Sequence, residues 1–419
     1  MFSLNKLGIP IFFLPLFLIS GPFIPDLILT ISVIIFLIFI IINKRFHYFK
    51  NKYFIFFFCF WIFISINSLL SENIISIKSS FTYLRFGIFF VLLVYLFNLN
   101  ENLFENFKKV ILFSILILFV DSLIQYFVGY NILGLPKSGR LSSFFGEEKI
   151  MGSFIVKLLP LYIALYFFKK KKVKLDFHIF LILLISVCLV LLSRERSALG
   201  LFILYLSLSS LIFFNKKREL MIFFCVIISF FVLIFSINKG LYDRFILQLI
   251  NDAKIIVENN NTQKNSSEIS KKDRFYIFTK AHDQMIRTSY KMFLDKPVIG
   301  HGTKMYRFKC SEKKYSEKPL KYSCNTHPHN YYFQMLSENG IIGFIFLIIT
   351  FFYFLINFFK NIFSKNKNKV LNLLILPNII NLWPIIPHGN FFNNWISITI
   401  FLSIGFFICY TQRELIKKD

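Results

Sequence analysis

Acidic residues are scarce in this sequence and almost absent from its apolar runs. Asp and Glu together number 22, against 48 Lys and Arg. Proton-coupled transporters usually carry acidic residues that face a central cavity, whereas the apolar runs here offer Asp121 and little else. We expect Asp121 to be a polar residue at a helix interface. No carboxylates cluster in a way that suggests a metal site, so we expect neither a metal nor a cofactor.

Polar stretches are also few, which excludes an ordinary soluble domain. Of the 419 residues, 56% are hydrophobic, and Phe alone contributes 59. Soluble domains hold about 45–50% apolar residues, and a helix of about 17–25 apolar residues can cross a bilayer. The sequence therefore predicts an all-α polytopic membrane protein with about twelve transmembrane helices and one large periplasmic loop. The predicted spans are residues 8–20, 23–42, 53–70, 82–98, 108–129, 150–168, 177–193, 196–214, 219–237, 331–358, 370–387 and 391–411.

These spans divide the chain into three parts without an internal repeat. Residues 1–237 hold about nine N-terminal spans, residues 238–330 form the large loop, and residues 331–419 hold about three more spans and a tail. No small-residue cleavage site follows the first apolar run, so we expect no removed signal peptide.

Two segments of the large loop differ in character. Residues 258–270 are polar and low in complexity, which predicts a flexible linker. Residues 273–294 alternate apolar and basic side chains at helical spacing. The pattern predicts either a basic amphipathic helix on the membrane surface or a helix packed on its own loop.

The net charge of +26 reflects clusters of Lys and Arg between the predicted spans. Such clusters are typical of cytoplasmic loops, so we expect no nucleic-acid partner. With a cytoplasmic N-terminus every cluster falls on the cytoplasmic side, as does the C-terminus, and the large loop lies outside. The clusters are residues 43–52, 169–172, 216–218, 360–369 and 413–418.

The six cysteines divide by environment. Cys310 and Cys324 lie in the large loop, where an oxidising compartment favours a disulfide between them. A zinc site with His327 and His329 is the alternative, but the spacing fits no standard zinc pattern. The other four lie in apolar runs, where we expect small buried hydrophobes: Cys59, Cys188, Cys225 and Cys409.

Residues 193–199 form a charged break that carries Arg194 and Arg196 on the predicted outer side. Positive charge there opposes the topology signal, which indicates a function. Guanidinium groups bind phosphate oxygens in a forked geometry, so a lipid-borne anion is the expected ligand. An ion pair with Glu195 or with lipid headgroups is the simpler alternative. Arg85, also near the outer side, suits an anchor to lipid phosphate.

His329 lies between Pro328 and Asn330 at the mouth of a predicted span. An imidazole with a pKa of about 6.5 can take a proton from a hydroxyl group near neutral pH. A single loop histidine is more often inert, but this one precedes Gly340 and Gly343, whose small size allows a neighbouring helix or lipid chain to approach closely.

These residues carry a resemblance to a known family. His329-Asn330, nine further residues and Gly340-Ile341-Ile342-Gly343 resemble the H-[NSQ]-x9-G-x-x-G signature of the O-antigen ligase family, which is related to the O-antigen polymerases. Residues 295–302, which include His301, resemble the element that precedes this signature. Residues 195–199 resemble the outer arginine turn of the family, with Arg196 in the motif position and Arg194 additional. The resemblance extends over residues 177–358 or so.

The resemblance implies a glycosyltransferase at the periplasmic face of the bacterial inner membrane. The donor would be a saccharide on undecaprenyl diphosphate, and the acceptor a hydroxyl group of lipid A-core or of another glycan. His329 and Arg196 would be catalytic, with inversion at the anomeric carbon and without a metal. Asn330, Gly340, Gly343, His327 and His301 would support the motif. The predicted ligands of the diphosphate are Arg85, Arg140, Arg194 and Arg196.

Several alternatives remain open at this point. The histidine signature favours a ligase over a polymerase that joins lipid-linked repeat units. A transporter or flippase for lipid-linked saccharides would require a charged cavity through the membrane. A non-catalytic partner in envelope assembly would tolerate replacement of the histidine and the arginines.

Overall fold

The computed structural model describes residues 8–170, 172–248, 250–251, 279–316 and 320–416. The regular structure of these residues is helical, apart from an isolated bridge between Tyr130 and Pro136. In chain order, the longer helices are α1 (Phe23–Ile42), α2 (Lys52–Leu69), α3 (Ile74–Thr82), α4 (Leu84–Leu99), α5 (Asn102–Val128), α6 (Met151–Phe167), α7 (Phe177–Ser193), α8 (Arg196–Phe213), α9 (Lys217–Ile237), α10 (Lys280–Asp295), α11 (Tyr331–Ile362), α12 (Lys369–Asn381) and α13 (Asn394–Ile416).

Local sequence explains where several of these helices begin. A helix leaves its first backbone N–H groups without intrahelical partners, and an Asn or Asp side chain just before the helix can accept their hydrogen bonds. Several helices begin in this way, among them those capped by Asn51, Asn73, Asp176, Asn330 and Asn368.

The prediction of an all-α membrane protein is confirmed in its general form. Within the described residues, 8 helices are long and apolar enough to cross a membrane, with α3 and α4 counted together. Three further predicted spans are shorter apolar helices of 10–17 residues, namely α6, α7 and α12. The predicted span 8–20 is divided into Gly8–Phe12, Leu14–Phe17 and a 3₁₀ turn. The second of these helices has Pro15 in its first turn, where a residue that cannot donate a backbone hydrogen bond is tolerated.

The central helices are buried on all sides, and the peripheral ones are not. Most residues of α4 and α6 are buried, and α4 packs on α13 while α6 packs on α12. By contrast, α9 has no buried residue. An apolar helix whose side chains are only partly covered by protein is stable when lipid covers the rest, which agrees with a membrane location.

The loops that carry the predicted site residues meet at one end of the helix bundle. Nη1 of Arg194 donates to the carbonyl oxygen of Gly139 at 3.1 Å, and the backbone nitrogen of His388 donates to the carbonyl oxygen of His329 at 2.7 Å. We call this the site end, formed by segments 129–150, 194–195, 279–316, 320–330 and 382–393. The described residues of the basic clusters lie at the other end, where Arg413 pairs with Glu101 at 2.9 Å.

The helix α10 packs on its own loop, which decides between the two interpretations of the 273–294 pattern. Met285 and Met292 are buried against Tyr306, Cys310 and Tyr315. Residues 273–278, and the predicted linker at 258–270, lie outside the described residues. A disulfide joins Cys310 to Cys324 within the same small core and ties the segment before His327 to it.

The expectation of buried cysteines in the apolar runs is correct for Cys409 and wrong for Cys59 and Cys225. These two are exposed at the surfaces of α2 and α9, and Cys188 is half-buried. The error has a simple cause, since the apolar side chains of a membrane-spanning helix can face lipid as well as the protein interior.

Asp121 was expected to be a polar residue at a helix interface, and it is fully buried. It accepts a hydrogen bond from the backbone nitrogen of Ile132 at 2.9 Å, so it fixes loop 129–150 on α5.

Candidate functional site

The signature glycine Gly340 interrupts α11 and lets a loop lie directly against the helix backbone. Its φ is +60°, a conformation that favours glycine, and a Cβ atom there would overlap the carbonyl group of Val298. Gly300 meets this contact from the other side, since a Cβ on it would lie 2.5 Å from the backbone nitrogen of Asn339. The close partner of Gly340 is therefore the 297–302 loop rather than the neighbouring helix or lipid chain that we expected.

Four backbone hydrogen bonds hold that loop to the helix. His301 and Gly302 donate to the carbonyl oxygens of Ser337 and Glu338 at 3.1 and 2.7 Å. Ile341 and Ile342 donate to the carbonyl oxygens of Pro297 and Val298, at 2.8 and 3.4 Å. We call this contact the glycine clamp. It explains why the two sequence elements of the resemblance occur together, because each supplies one side of it.

Asn330 begins α11 and also binds the loop that follows α12. Its Oδ1 accepts hydrogen bonds from the backbone nitrogens of Tyr332 and Phe333, at 3.0 and 3.3 Å, and its Nδ2 donates to the carbonyl oxygen of Pro384 at 2.8 Å. His329, just before this cap, has a φ of +55°, which non-glycine residues rarely adopt. The cap and the hydrogen bond from His388 hold His329 in this orientation.

Three histidines lie together at the site end. The ring of His329 lies 4.1 Å from that of His327 and 5.4 Å from that of His282, measured between centroids. Nδ2 of Asn325 lies 3.2 Å from Nε2 of His329. Burial lowers the pKa of all three imidazoles, to about 4 for His282 and about 3 for His327. They are therefore neutral near pH 7, the state in which an imidazole can accept a proton.

The arginine turn reaches the same cluster. Arg196 is the first residue of α8, and its charge, together with burial, contributes to the lowered pKa of His282. Arg194 adopts a left-handed conformation with a φ of +52°, which directs its guanidinium group to Gly139. Arg140 lies close enough to Glu195 to influence its pKa. The structure thus gathers Arg140, Arg194, Arg196 and His329 at the site end.

Glu195 does not pair with the arginines beside it in sequence. Its Oε1 accepts a hydrogen bond from the backbone nitrogen of Gly152 at 2.6 Å, and its Oε2 accepts one from the hydroxyl group of Ser153 at 2.6 Å. The carboxyl group thus caps the N-terminus of α6. Burial raises the pKa of Glu195 to about 7, against the effect of these hydrogen bonds and of the Arg140 charge.

Arg85 is held by protein groups at the same end. It forms an ion pair with Asp26 at 2.9 Å, and its Nη2 also donates to Oδ1 of Asn394 at 3.1 Å. Asn394 in turn donates to Asp26 at 2.9 Å. Because these contacts join α1, α4 and α13, Arg85 has a structural role whether or not it contacts a substrate, and its role in binding diphosphate stays a prediction.

His301 lies beneath α10. Its Nε2 lies 3.0 Å from the carbonyl oxygen of Met292, and its ring packs on Tyr315. Burial lowers the pKa of His301. These contacts connect the glycine clamp to the small core that contains the disulfide.

A cavity of about 560 Å³ opens beside the histidine cluster and the arginine turn. His327 and Ser197 line it, so it borders both sequence motifs. Three cationic side chains that the sequence analysis missed also line it: Lys157, Lys304 and Arg307. Lys157 was detectable as a lone charge within an apolar run, whereas Lys304 and Arg307 lie among many other basic residues of the large loop.

The described residues contain no group of three or more His, Cys, Asp or Glu side chains that could hold a metal ion. Cys310 and Cys324, the two thiols of the zinc alternative, are bonded to each other. The arrangement instead brings together neutral imidazoles and guanidinium groups beside a cavity, which suits proton transfer and the binding of an anion.

Comparison with known proteins agrees with the motifs. The model of the O-antigen ligase family matches residues 181–348, a range that contains the arginine turn, the histidine motif and the glycine clamp. None of the curated proteins matches the chain. The match confirms the resemblance in the sequence, because residues 181–348 are similar to the O-antigen ligase family.

Proposed function

We propose that this protein is a glycosyltransferase that moves a saccharide from a lipid-linked diphosphate to a hydroxyl group of a glycan acceptor. The observation that carries the proposal is that His329 and Arg196 both lie close to His282. His282 lies 5.4 Å from His329, and the Arg196 charge acts on its imidazole. One group can thus accept a proton while the other stabilises a departing anion within the same site.

His329 acts as the general base. It takes the proton of the acceptor hydroxyl, and the resulting oxygen attacks the anomeric carbon of the donor sugar. The bond between that carbon and the diphosphate oxygen breaks, and the diphosphate leaves with the bonding electrons. A single displacement inverts the anomeric configuration. The lowered pKa of His329 keeps the base free at neutral pH.

Arg196 stabilises the leaving diphosphate, supported by Arg194 and Arg140. Negative charge grows on the diphosphate as the glycosidic bond breaks, and a fixed guanidinium group lowers the energy of that state more than that of the bound substrate. Arg196 is half-buried, which strengthens its interaction with an anion compared with a fully solvated cation. No step of this mechanism requires a metal.

The compartment follows from the charge pattern. The basic clusters lie opposite the site end, and such clusters remain in the cytoplasm of membrane proteins. The proposed site therefore faces the periplasm of a bacterial inner membrane, with both termini cytoplasmic. Nucleotide sugars are not normally supplied there, so the donor must be activated on a lipid, and undecaprenyl diphosphate is the carrier that the family implies.

The acceptor is proposed to be lipid A-core, which makes the protein a ligase. The histidine signature favours this choice over a polymerase that joins two lipid-linked repeat units. A transporter or flippase would need charged groups distributed through the membrane, whereas the groups gathered here lie at one end of the bundle.

Deletion of the gene followed by gel analysis of the surface glycan tests the proposal. A ligase predicts the loss of polymer from lipid A-core together with accumulation of lipid-linked polymer. Single repeat units on the core would show a polymerase instead. An unchanged surface glycan, with no lipid-linked precursor accumulated, would exclude both.

A further inference from the structure

The cavity beside the histidine cluster contains polar atoms that the protein leaves without partners. Within the part of the chain that the structure describes, Nε of Arg307, Nε2 of His327 and Nδ2 of Asn390 are buried and have no hydrogen-bond partner. All three residues line the same cavity of about 560 Å³. A buried donor without an acceptor costs about 1–3 kcal/mol, so the N–H donors of Arg307 and Asn390 around one cavity indicate a ligand that accepts hydrogen bonds.

The charge of the lining specifies the ligand further. Lys157, Lys304 and Arg307 line the cavity against the single carboxylate of Glu148. Among the described residues, no carboxylate oxygen lies within 4.0 Å of a side-chain nitrogen of these three residues, although the buried Glu338 carboxyl group interacts with the charges of Lys304 and Arg307. Burying cations without anionic partners is costly, and a bound anion removes that cost.

The lysines are held in place by the fold. Lys157 is 5% exposed, and its Nζ donates to Oδ1 of Asn381 at 3.1 Å, which places an ammonium group from α6 within the bundle. Lys304 has a φ of +60° and lies two residues after Gly302 of the glycine clamp. Burial, together with the charge of Arg307, lowers the pKa of Lys304, and a bound anion would raise it again.

From these observations we infer that the cavity is a second anion subsite, in which a phosphoryl group accepts hydrogen bonds from Arg307 and Asn390 and is neutralised by Lys304 and Lys157. The subsite adjoins the arginine turn, whose Ser197 lines the cavity, but it uses other cations, because none of Arg140, Arg194 and Arg196 lines it. The choice between the two sources of this phosphoryl group rests on the proposed function: the donor diphosphate or a phosphate on the acceptor saccharide.

Direct binding to the full-length protein in nanodiscs tests this inference. Farnesyl diphosphate serves as the donor-type probe and glucose 6-phosphate as the acceptor-type probe, with farnesol and glucose as uncharged controls. We expect Arg307→Gln and Lys304→Gln to weaken the binding of at least one phosphorylated probe about tenfold. Lys313→Gln, at an exposed lysine of the same loop, is the matched control and should bind like wild type.

Each pattern of binding has a defined meaning. Weaker binding of farnesyl diphosphate alone assigns the subsite to the donor, and weaker binding of glucose 6-phosphate alone assigns it to the acceptor. Weaker binding of both supports an oxyanion subsite that does not distinguish them. Wild-type affinity for both probes in both variants overturns the inference. If Arg307→Gln does not fold, the probe affinities of Lys304→Gln and Arg307→Lys are compared with those of wild type instead.

The binding assay requires no glycan transfer, so the inference and the proposed function fail separately. Loss of transfer in His329→Ala combined with wild-type binding in Arg307→Gln and Lys304→Gln would remove only the subsite. Weakened binding in those variants combined with unchanged transfer in His329→Ala would keep the subsite and remove the proposed catalytic role of His329.

Discussion

The carboxyl group of Glu195 lies 2.6 Å from the backbone nitrogen of Gly152, so the arginine turn is attached to the N-terminus of α6. The contact needs a glycine at that position, because a Cβ on Gly152 would lie 2.5 Å from Oγ of Ser193. Glu195 stands between Arg194 and Arg196 in sequence, yet its carboxyl group binds Gly152 and Ser153 of α6 rather than the neighbouring arginines. The attachment fixes where α8 begins, and it therefore fixes the position of Arg196, the first residue of that helix.

The Glu195 contact predicts a pH dependence of stability. Its pKa is raised from 4.5 to about 7 by burial, so the folded protein holds this proton more tightly than the unfolded chain. The stabilisation is complete below about pH 4.5 and is lost as the pH rises through about 7, with a magnitude on the order of 3 kcal/mol. We expect the melting temperature of wild type to fall across this range relative to that of Glu195→Gln. A constant difference in melting temperature between the two proteins from pH 4.5 to 7.5 would show that the contact has no such effect.

Replacement of Arg196 by lysine separates charge from geometry. Lysine keeps the positive charge but loses the forked donors that fit a diphosphate, so we expect transfer to fall at least about tenfold with little change in melting temperature. Arg45→Lys, at the opposite end of the bundle, is the matched control. Transfer at the control rate in Arg196→Lys would assign Arg196 a purely structural role.

The glycine clamp predicts a loss of stability in Gly340→Ala. The new methyl group would overlap the carbonyl group of Val298, and alanine disfavours a φ of +60°, so we expect a loss of about 2–3 kcal/mol. Gly200→Ala is the control, because its Cβ would lie 3.6 Å from Ile386, an ordinary contact in a helix. Thermal unfolding in detergent measures both variants. A melting temperature of Gly340→Ala equal to that of Gly200→Ala would mean that the clamp is not tightly packed in the folded protein.

The sequence was sufficient to predict most of the long helices and to predict that the arginine turn and the histidine motif lie at the same end of the bundle. Apolar runs are long and the basic clusters alternate with them, so the spans and the shared end of Arg196 and His329 follow from composition and charge. The predicted spans 150–168 and 177–193 agree closely with the short helices α6 and α7, whereas the predicted span 370–387 continues beyond the end of α12 at Asn381.

The residues that complete the site could not be predicted in the same way. His282 and Arg307 lie in the large loop, 47 and 22 positions before His329 by their numbers. Only the packing of α10, the disulfide and the glycine clamp brings them to the motif, and such long-range contacts leave no local pattern. The glycine clamp was predicted only in part. The sequence indicated both the 295–302 element and the Gly340 motif, but it did not indicate that the two bind each other.

The central claim is that His329 removes a proton from the acceptor, and a transfer assay on His329→Ala tests it most directly. Purified protein, lipid-linked donor and acceptor are mixed, and the rate of product formation is measured at pH 7.5. We predict a loss of at least about a hundredfold in His329→Ala, the usual contribution of a general base. His47→Ala, at the opposite end of the bundle, should keep the wild-type rate. A rate within a few fold of wild type in a correctly folded His329→Ala protein would contradict the account.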